Sequence, residues 1–346
     1  MFARGVRILL ASLQGLLSLE AQSWDTSLTL PGCESLAQEG DFIWVFSFDR
    51  RAEVQDTHVG GHLFRFPAQE ETPFLREVTP PGVRWRPFGL AYKDGYLWFA
   101  HAPIEGKHEV WRFRWNGERL ESPKSWRHPA FTSLQAVCAV DSIRFYVAND
   151  RKGAARWHLV VGFLRRRVRS SIFLCEYDTC RKVADRIPYA SGLAYFPKDQ
   201  LLLTSVAFRK ALWVYQEVGE PTRLQYIRRI KLPGYPDNIT SLGDSVAWVV
   251  CHKRLNGWAR SLAFGGNRSR WMIVEVRFLP EGRFEARPIY RAPKGYATAS
   301  AAVPVGNYIY IGSVFEPVLL RLKVEGTTPA AFLPTRKVVR PESRHP

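Results

Sequence analysis

Residues 191–218 read SGLAYFPKDQLLLTSVAFRKALWVYQEV. A small polar start leads into an apolar run, a Pro-Lys-Asp turn at 197–199 interrupts it, and further apolar runs follow. Turn formers set between short aromatic and β-branched runs predict strands joined by tight hairpins. The same grammar recurs in CESLAQEGDFIWVFSFD from Cys33, FGLAYKDGYLWFAHAP from Phe88, LQAVCAVDSIRFYVAND from Leu134, DNITSLGDSVAWVVCHK from Asp237 and ASAAVPVGNYIYIGSVF from Ala299. Most copies are followed by a strand of alternating side chains, as in HEVWRFRWNG at 108–117 and SRWMIVEVRF at 269–278. Six copies whose starts fall 46 to 62 residues apart predict an all-β, six-bladed β-propeller with four-stranded blades around a central channel. A pair of β-sandwiches would suit the length but would not explain a sixfold recurrence.

Composition agrees. Hydrophobic residues make up 46% of the 346 residues and aromatics 13%, with only two Met, so a large core rich in strand formers is available. The formal charge is +17, from 49 Lys and Arg against 32 Asp and Glu. That excess favours acidic partners or an anionic surface. It is scattered, however, and no helix-turn-helix, zinc-finger or RNA-recognition motif accompanies it, which argues against nucleic acid.

The chain opens MFARGVRILLASLQGLLSLEA, with Arg4 and Arg7 before an apolar run from Ile8 to Leu19. This pattern predicts a signal peptide or N-terminal anchor over 1–21 and a place in the secretory pathway, secreted or membrane-associated, with a mitochondrial presequence as the alternative. The propeller is expected over 22–324. The segment 325–346, Pro-rich and basic without strand period, reads as a flexible tail. Five cysteines leave one or more unpaired in a monomer, and Cys175 with Cys180 stand at hairpin spacing for a disulfide. Asn238 and Asn267 head glycosylation sequons.

In a propeller the same loop position of successive blades converges at one mouth of the channel. The register that begins each copy holds Glu34 and Ser35, Phe88, Gln135, Ser191, Asp237 and Asn238, and Ser300. All but Phe88 offer a side-chain oxygen, the hard donor that Ca²⁺ takes about six to eight times over. A calcium ion is therefore the expected cofactor. The plainer reading makes Asp237 and Asn238 turn formers, since both side chains can bond their own backbone.

At these residues the sequence resembles the paraoxonase/arylesterase family of calcium-dependent six-bladed propellers, related to the gluconolactonase (SMP-30) group. The motifs that carry the likeness are PDNITSLGDSVAWVVCHKRLNG at 236–257, ASGLAYFPKDQLLLTSVAFRKALWVYQ at 190–216, AVCAVDSIRFYVAND at 136–150 and YIYIGSVFEPVLL at 308–320. The resemblance implies hydrolysis of aryl esters or lactones. It makes Asp237 and Asn238 ligands of a catalytic calcium, with Glu34, Ser35, Gln135 and Ser191 in further ligand positions and Asp150 at a second, structural ion. Ser35 stands where an acid is expected, and Gln135 and Ser191 stand where Asn is expected. Phe88 replaces the family's catalytic His, and Glu316 replaces another. His252 matches a pocket His, and His101 falls near the supporting one.

The expected chemistry is a metal-polarised carbonyl attacked by water, which Asp237 or Glu34 activates while His252 donates a proton. Two alternatives stay open. One is a catalytically inactive propeller that serves as a protein- or membrane-binding scaffold. The other is a strictosidine-synthase-like, metal-free enzyme with Glu316 as its acid. A membrane partner would meet residues 157–169, where Trp157, Val161, Leu164 and Val168 share one helical face beside Arg165, Arg166, Arg167 and Arg169. A lid over the channel fits the same pattern.

Overall fold

The computed structural model describes residues 21–52, 60–103, 107–149, 169–258, 269–292 and 295–324. The N-terminal segment, Asp150, the stripe at 157–168, Asn267 and the tail from 325 lie outside the described residues. Among those described, the chain forms six antiparallel four-stranded sheets, the expected six-bladed propeller. No helix among them is long and apolar enough to cross a membrane.

Blade one is β2 (Leu36–Glu39) to β5 (Arg76–Glu77), with β3 (Phe42–Ser47) and β4 (His62–Pro67) between them. Blade two runs from β6 (Pro87–Lys93) through β7 (Tyr96–His101) and β8 (Glu109–Trp115) to β9 (Leu120–Arg127). Blade three is β10 (Leu134–Ala139), β11 (Phe145–Asn149), β12 (Ser170–Glu176) and β13 (Thr179–Ile187). Blade four is β14 (Ala190–Phe196), β15 (Leu201–Val206), β16 (Ala211–Val218) and β17 (Arg223–Lys231). Blade five is β18 (Tyr235–Leu242), β19 (Val246–His252), β20 (Trp271–Leu279) and β21 (Arg283–Arg291). Blade six takes β22 (Ala299–Val305), β23 (Tyr308–Ser313) and β24 (Leu319–Val324), and its outer strand is β1 (Ala21–Leu28). The ring is thus closed by the start of the described chain pairing with its end, Ala21 opposite Val324 and Trp24 opposite Leu322.

In blades one, two, three and five the second strand is the most buried. All seven residues of β19 and all six of β15 are buried, because both faces of a blade are covered by neighbouring blades. Period-two alternation decides which neighbour each side chain meets. In β19, Ala247, Val249 and Cys251 pack toward blade four, whereas Val246, Trp248 and Val250 pack toward blade six. Six apolar clusters result, one between each pair of adjacent blades. With about 1.5–3 kcal/mol for each large side chain fully buried, these interfaces hold the ring together. The outer strands are exposed, and one hairpin, β12 to β13, is clamped by the Cys175–Cys180 disulfide expected from the spacing.

Candidate functional site

The first strands, β2, β6, β10, β14, β18 and β22, neighbour one another around the channel. In five of them the ladder slips at the same place, between Phe88 and Leu90, Leu134 and Ala136, Ala190 and Leu193, Pro236 and Ile239, and Ala299 and Ala301. The residues left out of register are Gly89, Gln135, Ser191 with Gly192, Asp237 with Asn238, and Ser300. A bulge re-aims a side chain that regular pleating would point at a neighbouring blade. The converging register read from the sequence is therefore a ring of bulges, and in blade one Glu34 and Ser35 stand just before β2. Two glycines let the strands close up there. Gly89 has φ +55°, and a Cβ on it would lie 2.8 Å from Gln135 O; a Cβ on Gly192 would lie 2.6 Å from Asp237 O.

Asp237, Asn238 and Ser300 form one hydrogen-bonded group. Asn238 Nδ2 donates to Ser300 Oγ at 2.9 Å and to the Glu34 carbonyl at 3.2 Å. A carbonyl can only accept, so the amide must present its nitrogen to Glu34. Ser300 Oγ donates in turn to Asp237 Oδ2 at 3.0 Å. His252 Nε2 lies 3.5 Å from the same carboxylate oxygen, and its Nδ1 is 2.9 Å from Ser269 Oγ. The resemblance matches His252 to a pocket histidine; the structure sets it beside Asp237, with none of its surface exposed and with Trp258 stacked on it at 4.4 Å. Trp258 belongs to a small apolar cluster with Tyr189, Phe208 and Leu255.

The remaining expected residues divide. Ser191 is buried and donates to Pro236 O at 3.3 Å. Ser35 Oγ is buried and, among the described residues, has no hydrogen-bond partner. Gln135 is half-buried at its bulge. His101 stands opposite Pro87 at the end of β7, and its Nδ1 accepts the backbone N–H of Arg86 at 3.1 Å. Burial lowers the His101 pKa, against a pull upward from Glu109, so the ring serves here as a neutral acceptor. Glu316 is buried and accepts the Ala297 N–H at 2.8 Å.

Arg50 was not singled out in the sequence. Its Nε donates to Glu34 Oε2 at 2.9 Å and its Nη2 bonds the same oxygen. Its guanidinium lies 4.1 Å from the centre of the Phe88 ring, where the resemblance expects a His, and Arg86 approaches that ring at 5.0 Å. The available signal was the basic pair Arg50-Arg51 directly after a buried strand. Ser300 was in the register but outside the expected ligand set.

Calcium asks for about six to eight oxygens at about 2.3–2.6 Å, with carboxylates supplying much of the attraction. Here Glu34 is already neutralised by Arg50, Asp237 is bonded to Ser300, Ser191 to a carbonyl, and Asn238 turns its nitrogen to the ring of donors. Among the described residues no group of three or more His, Cys, Asp or Glu stands close enough to hold a metal ion. The donor set arranged in this way does not fit calcium. Below the mouth a cavity of about 510 Å³ follows the first strands, from Ser35, Gly89 and Asn238 at one end to Gly40, Lys93 and Asp244 at the other.

A family model described as Arylesterase matches residues 87–263. Mechanosensory abnormality protein 6 of Caenorhabditis elegans is 21% identical over 209 residues, which cover 58% of this chain and 55% of that protein. The chain thus spans about half the length of that curated relative. Among solved structures, a luciferin-regenerating enzyme is 13% identical with a TM-score of 0.55, over 88% of this chain and 97% of that one. A candidate gluconolactonase is 13% identical with a TM-score of 0.54, over 88% and 92%. At such identities the structural likeness concerns the fold alone.

Proposed function

Because the chain belongs to the arylesterase family of hydrolase-type propellers, we propose that it uses that scaffold as a non-catalytic binding propeller for a partner presenting an acidic extended segment. The observation that carries this reading is that Glu34, Ser191, Asp237 and Asn238 at the mouth are all engaged with other protein groups. General acid–base catalysis needs a base within hydrogen-bond reach of a substrate proton. His252 is sealed beneath Trp258, Glu34 is tied to Arg50, and the position where the resemblance expects a His holds Phe88 under a guanidinium. The C. elegans relative is named for a mechanosensory abnormality.

The docking surface follows from comparing the six outer strands. β5 has two residues, β9 carries Pro123, β21 carries Pro288, and β1 and β13 carry the acids Asp25 and Asp185. Short edges, proline and charged side chains are the usual protections of an exposed sheet edge, and β17 differs from the other outer strands in carrying positive charge alone. β17, RLQYIRRIK, has neither proline nor acid, and exposes Tyr226 and Ile227 among Arg223, Arg228, Arg229 and Lys231. Like charge opposes pairing with a second copy, while an acidic strand would be attracted along the whole edge.

The test has two arms on the full chain. Chelator-stripped and calcium-loaded protein should hydrolyse neither phenyl acetate nor a simple lactone above the buffer rate. An extended peptide of alternating Glu and Val should bind, and Arg228→Glu with Arg229→Glu should abolish that binding. A second reading, the one the resemblance implies, is calcium-dependent hydrolysis of an aryl ester or lactone. Ser35 favours it, since a buried hydroxyl without a partner beside Glu34 is a donor in search of a ligand. Calcium-dependent turnover that is lost in Asp237→Ala would establish that reading instead.

A further inference from the structure

We propose that Arg50 is the resident cation of the channel mouth, its guanidinium holding Glu34 in place of a metal ion and keeping calcium out. This concerns ions, and it stands whether or not the protein turns anything over without calcium.

The local sequence aims Arg50 inward. Asp49 Oδ1 accepts the backbone N–H of Arg51 at 2.8 Å and of Ala52 at 3.1 Å, which fixes the turn that leaves β3. Held by that turn, the Arg50 side chain is only 12% exposed. Phe48 and Phe88 cover its guanidinium at 5.2 and 4.1 Å, and Glu34 takes two of its N–H groups on one oxygen. Arginine stays protonated in proteins, and its flat, weakly hydrated cation is suited to stacking while it binds a carboxylate. A divalent ion approaching Glu34 would meet a fixed positive charge on the same oxygen.

The surroundings show where an ion would go if Arg50 were absent. A cavity of about 10 Å³ lies among Glu34, Ser35, Phe46, Phe48, Arg50 and Pro87. Space of that size admits about one water. Removing the guanidinium would enlarge it, uncover the Glu34 carboxylate and place the unpartnered Ser35 Oγ beside it. A part-buried carboxylate stripped of its partner attracts the nearest cation available.

The experiment is calcium titration by calorimetry, with thermal melts in chelator and in millimolar calcium, on the full chain. The wild type is expected to give no binding heat and the same melting temperature in both buffers. Arg50→Gln is expected to melt lower than the wild type in chelator, to gain at least tenfold in calcium affinity, and to lose that gain when Glu34→Gln is added. Arg50→Lys keeps the charge and is expected to keep calcium out, which preserves a comparison if Arg50→Gln does not fold. Calcium binding or stabilisation in the wild type would overturn the inference, as would a folded Arg50→Gln that binds no better. Ester turnover by calcium-free wild type would refute the scaffold reading and leave this one intact.

Discussion

Gly192→Ala is the sharpest probe of how tightly the mouth is built. The added Cβ would stand 2.6 Å from Asp237 O, 2.9 Å from Asn238 Cα and 2.9 Å from Ile239 N. All three atoms are backbone, so no side-chain rotation relieves the contact and β14 must move away from β18. Overpacking of this kind costs about 1–3 kcal/mol. Alanine restricts the unfolded chain and returns about 0.4–1 kcal/mol. Taken at the middle of both ranges, the net expected loss is about 1–2 kcal/mol. With a urea m-value near 3 kcal/mol/M, the unfolding midpoint should fall by about 0.3–0.7 M. Gly60→Ala is the control, since its Cβ would meet nothing closer than 3.4 Å, and its midpoint should hold or rise. If Gly192→Ala left the midpoint unchanged or raised it, the claim that Gly192 is there to permit close strand approach would be wrong.

Two further outcomes are expected. Because the folded-state pKa of His101 lies below the ordinary imidazole value of about 6.5, its contribution is present above that value and is lost as pH falls from there through the folded pKa. Urea unfolding at pH 7.5 and 5.5 should therefore show an acid-side loss that shrinks in His101→Asn; an equal loss in both proteins would contradict it. Replacing both Cys175 and Cys180 by Ser opens a five-residue separation, for which chain entropy gives about 2 kcal/mol, read as the urea difference from the oxidised wild type. No change in the midpoint would show that the hairpin is held by its ladder alone.

The sixfold grammar, the strand pairs and the Cys175–Cys180 hairpin could be read from the sequence because each depends on residues close together in the chain. So could the ring of Glu34, Ser35, Gln135, Ser191, Asp237 and Asn238, since equivalent places in a repeat must converge once the repeats close into a ring. The bulges at that ring were not legible: slippage shows only when the paired strand is in view. Nor was the closing strand, because β1 reads as any short strand until its partner Val324 arrives from the other end. Arg50 looked like one more member of a scattered basic excess. Only the tertiary structure set it against Glu34 and Phe88, 16 residues before it and 38 after it, and laid Trp258 over His252. Local periodicity fixes which residues face inward, whereas the charge and access of a site depend on which inward groups end up touching. Sequence alone therefore determined the propeller and where its mouth would lie. The fold decided that an arginine is paired with Glu34 and that a tryptophan is stacked on His252.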